Sequence, residues 1–402
     1  MVLPVHKAVR MMRTYGRFTA MLLTAGLLLT TVCPMMAFAS GPLSDRVGDG
    51  YDAETWAKLT DDVLEYDEVP TLVHEFNTQI SQTWDQLKEA QDDLKKGVAD
   101  LEGYRYKMKN LKDRAKDDYD IEGIMQYTMQ DIVLGKVISG MNTSVDSILS
   151  TGTKNTLQKA ENQLTKVVQS LMITYDSTRK QRDVVSHLQQ LYDRQYQIMV
   201  NKQAVGLATP QEVMAAQTNQ LSALSTLQTI DGGLMQMKPT LCSLTGWPAD
   251  ADPEIAEIPP VDLSKIDEMN LEEDTRKAIG NNTELINQRR SSAGKTNAGV
   301  EARLGVIDEG DQKMTIKMKE LYDDVYAKKS AYEGAKAGFE AAQKSADSYD
   351  RMYQVGLLSE ADYLGTQISY YQKKAAYNSA DTALRLAIET YGWAVKGLVN
   401  AD

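Results

Sequence analysis

Val205-Gly206-Leu207-Ala208-Thr209-Pro210-Gln211-Glu212 reads as the end of one helix and the start of the next. Glycine closes a helix in the left-handed conformation at little steric cost. Thr209 is placed to cap the following helix, and Pro210 takes the first helical position, where its missing N–H is no loss. Glu212, three residues after the cap, completes a capping box. The same order returns 150 residues later as Val355-Gly356-Leu357-Leu358-Ser359-Glu360-Ala361-Asp362, with Ser359 as the cap and Asp362 at the third helical position. Gln217 and Gln367 keep the same offset. Each stretch is a tight turn between two long antiparallel helices, so the chain holds two related hairpins.

Outward from the turns, proline is absent between Pro70 and Pro210 and again after Pro260. These stretches are rich in Ala, Gln, Lys, Asp, Leu and Met, a composition that suits long helices. A seven-residue step runs through Leu157, Leu164, Leu171, Thr178, Val185, Tyr192 and Met199, with Val168, Tyr175 and Tyr196 on a companion seam and polar lapses at Arg182 and Gln189. Leu227, Ile230, Leu234, Met237, Leu241 and Leu244 continue the pattern after the first turn, and Leu384, Ile388, Tyr391, Val395 and Leu398 after the second. Such spacing is that of coiled-coil helices. Pro239 predicts a kink in the second run. The ascending arms span roughly Thr156 to Ala204 and Thr315 to Gln354.

The expected fold class is all-α: long antiparallel coiled-coil hairpins in two tandem repeats. Residues 40–245 form the first repeat, 246–269 a Pro/Gly-rich linker, and 270–402 the second. The linker begins Gly246-Trp247-Pro248 and ends near Pro259-Pro260, a turn-forming composition. Asn270-Leu271-Glu272-Glu273-Asp274 opens a short leading helix before the second hairpin, and Leu59-Thr60-Asp61-Asp62-Val63-Leu64 offers an analogous acidic opening before the first.

Residues 1–39 read as a signal peptide. Lys7, Arg10, Arg13 and Arg17 precede the uncharged stretch Phe18 to Val32, and Ala37-Phe38-Ala39 places small residues for cleavage before Ser40. Thr30-Thr31-Val32 before Cys33 is a poor lipidation signal. Removal of those four cations and no anion takes the formal charge from −12 to −16. An acidic surface excludes nucleic acid as a natural partner. Cys242 is then the one cysteine left, so no intrachain disulfide can form.

The sequence after the leader has two histidines, His74 and His187, and lacks Cys-x-x-Cys, His-Glu-x-x-His, a P-loop, Gly-x-Gly-x-x-Gly and a calcium-loop order of aspartates. No catalytic residue, metal site or cofactor is expected, and the chain is read as a non-enzyme. The small residues Ala331, Gly334, Gly338 and Ala342 make a stripe on the second ascending helix, read as a surface for close helix packing.

These residues resemble the outer-membrane efflux factors typified by TolC. The likeness rests on the two Val-Gly-Leu turns, each followed by a Thr/Ser-x-x-acid helix start, on Leu244-Thr245-Gly246-Trp247-Pro248, and on Leu271-Glu272-Glu273-Asp274, and it covers about Leu157 to Leu398. The resemblance implies a homotrimeric hollow helical tube in the cell envelope. Its turns would dock a membrane-fusion adaptor serving an inner-membrane transporter, ABC or other. Val205, Gly206, Leu207, Val355, Gly356 and Leu357 are then the adaptor-docking tips, capped by Thr209, Glu212, Ser359 and Asp362. Asp362 is also a candidate acid at the pore entrance; Gly365 stands where the family places a second one. The sequence departs from the family in one respect. Gly135 to Gly152 and Lys295 to Gln312 are the segments available for barrel strands, and neither sustains the alternation a spanning strand needs. The β-barrel is therefore expected to be absent or vestigial, and the envelope could have an outer membrane or a single membrane. The alternative reading is a structural coiled-coil protein of the envelope with no transport role.

Overall fold

The computed structural model describes residues 52–59, 61–148, 150–248, 251–291 and 296–399. The signal-peptide reading, with Cys33 and the Ser40 start, lies outside them. The order of elements is α1 (Ala53–Leu59), β1 (Val63–Leu64), α2 (Val69–Phe76), α3 (Thr78–Asp117), α4 (Ile121–Ile148), α5 (Thr151–Ala204) and α6 (Pro210–Leu244). Then follow β2 (Glu254–Ile255), α7 (Ser264–Asp267), α8 (Leu271–Asn281), α9 (Thr283–Arg290), α10 (Asn297–Gln354) and α11 (Glu360–Val395). Helices α5 and α10, of 54 and 58 residues, rise about 80–90 Å at 1.5 Å per residue. Helix α5 packs on α6, α10 on α11, and α11 on α5, so the two hairpins lie side by side.

The seven-residue seams explain why these helices stay paired. Met318, Val325, Tyr332, Phe339, Ala346 and Tyr353 recur along α10, and Met318, Val325, Tyr332 and Ala346 are buried. Arg182, a polar lapse by sequence, reaches across to Asp231 of α6 at 2.5 Å, which satisfies its charge within the seam. Helix α6 runs on through Pro239 to Leu244.

Each repeat has its own apolar core near the base of its hairpin. Leu72, Val73, Val168, Met172, Leu241 and Ile255 form the first. Met314, Met318, Leu285, Leu384 and Tyr391 anchor the second. The linker takes part in both: β2 pairs in parallel with β1, Val63 opposite Glu254 and Leu64 opposite Ile255, while Ile266 of α7 is fully buried. This corrects the acidic opening at Leu59 to Leu64, expected as a helix start; Val63 and Leu64 are instead a strand, because Leu64 must be buried beside Ile255.

Where described, both segments that could have supplied barrel strands are helical except at the helix caps Ser150 and Thr296. Gly135 lies within α4, and α10 already begins at Asn297, 18 residues before the expected start at Thr315. The only strands among the described residues are β1 and β2, two residues each. No helix there is long and apolar enough to cross a membrane.

An additional hairpin occupies the first repeat. Helix α3 carries Ile80, Leu87, Leu94, Leu101, Met108 and Ala115 at seven-residue steps, and α4 answers with Ile124, Asp131, Ile138 and Val145. The turn between them, at Asp118 to Asp120, holds Tyr119 at φ 53°. Asp131 sits in the seam because Arg105 of α3 meets it at 2.7 Å. In the second repeat the corresponding α9 stops after 8 residues, where α3 continues for 40, a difference of about 50 Å of helix.

Candidate functional site

The two turns have one geometry. Gly206 and Gly356 both adopt φ 76°. At the first, Leu207 N donates to Lys202 O at 2.8 Å and Gly206 N to Gln203 O at 3.0 Å; at the second, Leu357 N donates to Met352 O and Gly356 N to Tyr353 O, both at 2.9 Å. This is the Schellman closure, which satisfies the last carbonyls of a helix through a left-handed residue. It also fixes the directions of the flanking side chains. Val205 and Leu207 are 69% and 77% exposed, and Val355 and Leu357 are 69% and 74% exposed. Each hairpin thus ends in two apolar side chains held in water by a rigid backbone.

The caps that follow differ at both members, Thr209 and Glu212 at the first turn against Ser359 and Asp362 at the second. At the first turn the Thr209 hydroxyl accepts from Glu212 N at 3.3 Å while Glu212 Oε2 accepts from Thr209 N at 2.7 Å, a complete capping box. These bonds hold the Glu212 carboxyl below its ordinary pKa, the backbone bond to Thr209 contributing most. At the second turn Ser359 Oγ accepts from Asp362 N at 3.2 Å, but the shorter Asp362 side chain takes the Ser359 hydroxyl at 2.5 Å instead of the backbone N–H. Asp362 is exposed and borders a groove between α10 and α11 lined by Ala342, Ser345, Tyr349, Gly365 and Ser369.

The turns lie at the same end. Going down α5 toward its turn, Ser177 meets Thr382, His187 stacks on Tyr371 at 4.8 Å, and Arg194 bonds Glu360 at 2.6 Å. The structure therefore brings Val205 to Leu207 and Val355 to Leu357 to one end of the paired hairpins. At the two glycines of the small-residue stripe on α10 there is open space: a Cβ at Gly334 would meet nothing within 4 Å, and one at Gly338 only Lys373 at 4.0 Å. Within the chain α11 meets α10 chiefly through Tyr332 and Phe339, both against Tyr377.

A second matched pair of positions escaped the sequence reading. Asn77 caps α3, its side-chain oxygen accepting from Gln79 N and Ile80 N while its nitrogen donates to Leu244 O at 2.9 Å. Asn282 does the same for α9, accepting from Glu284 N and Leu285 N and donating to Val399 O at 2.8 Å. Gly246 and Gly397, at φ 83° and 84°, close the descending helices beside them. The signal was present: glycine to glycine from turn to base is 40 residues in one repeat and 41 in the other. Asparagine to turn is 55 residues longer in the first repeat, the extra length being the α3/α4 hairpin.

No family model matches the sequence, and no characterised protein matches it by sequence. Solved structures resemble its fold. CusC is similar at 13% identity over 83% of this chain and 97% of that one, with a TM-score of 0.50; its structures concern folding and transmembrane channel formation. The outer-membrane channel OprN is 9% identical over 86% and 93%, TM-score 0.45. The outer membrane protein VceC from Vibrio cholerae is 13% identical over 66% and 76%, TM-score 0.42. The CusC likeness carries the fold assignment: TolC-like helical hairpins, with no barrel strand among the described residues.

Proposed function

We propose that this TolC-like fold serves as an efflux or secretion accessory of the cell envelope. Three copies close into an α-helical conduit, and the six hairpin tips dock a membrane-fusion adaptor that serves an inner-membrane transporter. The observation that supports this reading most is the identity of the two tips in backbone angle, hydrogen bonding and exposed Val/Leu pair. A spacer has no physical reason to hold two apolar pairs in water at the same end. The exposed outer seam of α6, Met214, Leu221 and Met235 at multiples of seven residues, is a face for a neighbouring helix from another copy. Asp362, on the groove beside the second tip, is the acid that would face ions entering the conduit.

The alternative is a structural coiled-coil protein of the envelope, and one experiment separates the two. Leu207→Glu with Leu357→Glu, both at exposed positions, should leave helicity intact and abolish capture of the cell's membrane-fusion adaptor. Undiminished capture by the double variant would remove the tips from the account and leave the spacer.

A further inference from the structure

The α3/α4 hairpin projects from the end opposite the tips with one face uncovered. Among the described residues, α4 makes extensive contact only with α3. Its inner seam is the one through Ile124, Ile138 and Val145. Beside that seam runs a second one: Ile121, Met125, Met129 and Ile132 are 80%, 67%, 60% and 49% exposed, with Val133 next to them at 47%. Two adjacent apolar seams on one helix call for two neighbours, and the chain supplies one.

Resting on the reading that copies of this chain assemble, we propose that the second neighbour is another copy: α4 faces of adjacent chains pack together. The bundle they form extends the assembly in helices at the end opposite the tips. Area and charge both point to this occupant. With Tyr119 at the turn, the exposed apolar side chains offer on the order of 600–800 Å², near the ~800 Å² per partner of a stable interface and above what monomers usually leave open. Residues 102–131 carry six Lys/Arg and seven Asp/Glu, a near-neutral balance that sets little charge repulsion against a second copy. An anionic lipid surface fits less well, because Asp117, Asp118, Asp120 and Glu122 crowd the turn that would reach it.

The test uses the full exported chain. Met125→Glu with Met129→Glu should leave the helical circular dichroism unchanged and raise the dissociation constant of the assembly, read by light scattering, at least about 10-fold. Met129→Cys, with Cys33 and Cys242 replaced by serine, should form covalent dimers and trimers with a short bis-maleimide. Unchanged mass in the charge variant together with no cross-link at position 129 would overturn the proposal. So would loss, in the charge variant, of binding to phosphatidylethanolamine/phosphatidylglycerol vesicles with assembly intact. Adaptor capture by the Leu207/Leu357 variant is read separately: lost capture with normal assembly bears on the tips alone.

Discussion

Four glycines hold the same left-handed conformation, yet alanine at two of them should cost more than at the others. At Gly206 an added Cβ meets nothing within 4 Å, so Gly206→Ala costs only the conformational term, about 1 kcal/mol. At Gly246 the Cβ would stand 2.2 Å from the Phe76 carbonyl oxygen, which is backbone and cannot swing aside. Relief requires moving the α2–α3 junction away from the end of α6. That movement also breaks the 2.9 Å bond from Asn77 to Leu244 O, worth about a further 1 kcal/mol, so Gly246→Ala should cost about 2 kcal/mol in all. Gly397, whose Cβ would lie 2.5 Å from Asn281 O, should behave like Gly246, and Gly356 like Gly206. Urea unfolding of the four single variants measures the differences directly. Equal losses at Gly206 and Gly246, within about 0.5 kcal/mol, would refute the claim that the base glycines clamp the hairpins while the tip glycines only shape an exposed turn.

The His74 imidazole lies 3.1 Å from the buried Glu161 carboxylate, and that hydrogen bond holds its pKa above the ordinary 6.5. The pair therefore contributes stability that is fully present below the unfolded value and is lost as pH rises through the higher folded pKa, so the melting temperature should fall as pH rises above 6.5, a fall that His74→Gln flattens. Met318, fully buried between α10 and its neighbours, should cost about 2–5 kcal/mol as Met318→Ala, seen in the same urea melts. Thr209→Ala removes one half of the capping box and should cost about 1 kcal/mol, with the loss confined to hydrogen-exchange protection in the first turns of α6. Amino-terminal sequencing of protein recovered from the native cell surface should begin within a residue or two of Ser40, and an intact Met1 chain there would contradict the signal-peptide reading.

The turns were legible because their chemistry is local: a left-handed glycine, a capping hydroxyl and an acid three residues on are all written within eight positions. The long helices were legible from seven-residue seams and the absence of proline. The α3/α4 hairpin was not read, although Ile80, Leu87, Leu94, Leu101, Met108 and Ala115 keep the same step. Its seam is thin, relieved by Arg105 and Asp131, and its exposed face is as apolar as its inner one, so periodicity points in two directions at once. The roles of Asn77, Asn282, Gly246 and Gly397 depend on partners 116 to 170 positions away, which no local pattern states. The strand at Val63 was hidden for the same reason, since its pairing partner is the linker.

Cysteine-directed cross-linking from the tips to the cell's own membrane-fusion adaptor addresses the account most directly. Leu207→Cys and Leu357→Cys, each in a chain with Cys33 and Cys242 replaced by serine, place a thiol on each exposed turn without touching a buried contact at the tip. The account predicts that both positions capture the same adaptor in intact cells, while a control thiol at exposed Glu272 of α8, away from the tips, does not. Adaptor captured from neither tip, in cells where both variant chains are exported and helical, would contradict it.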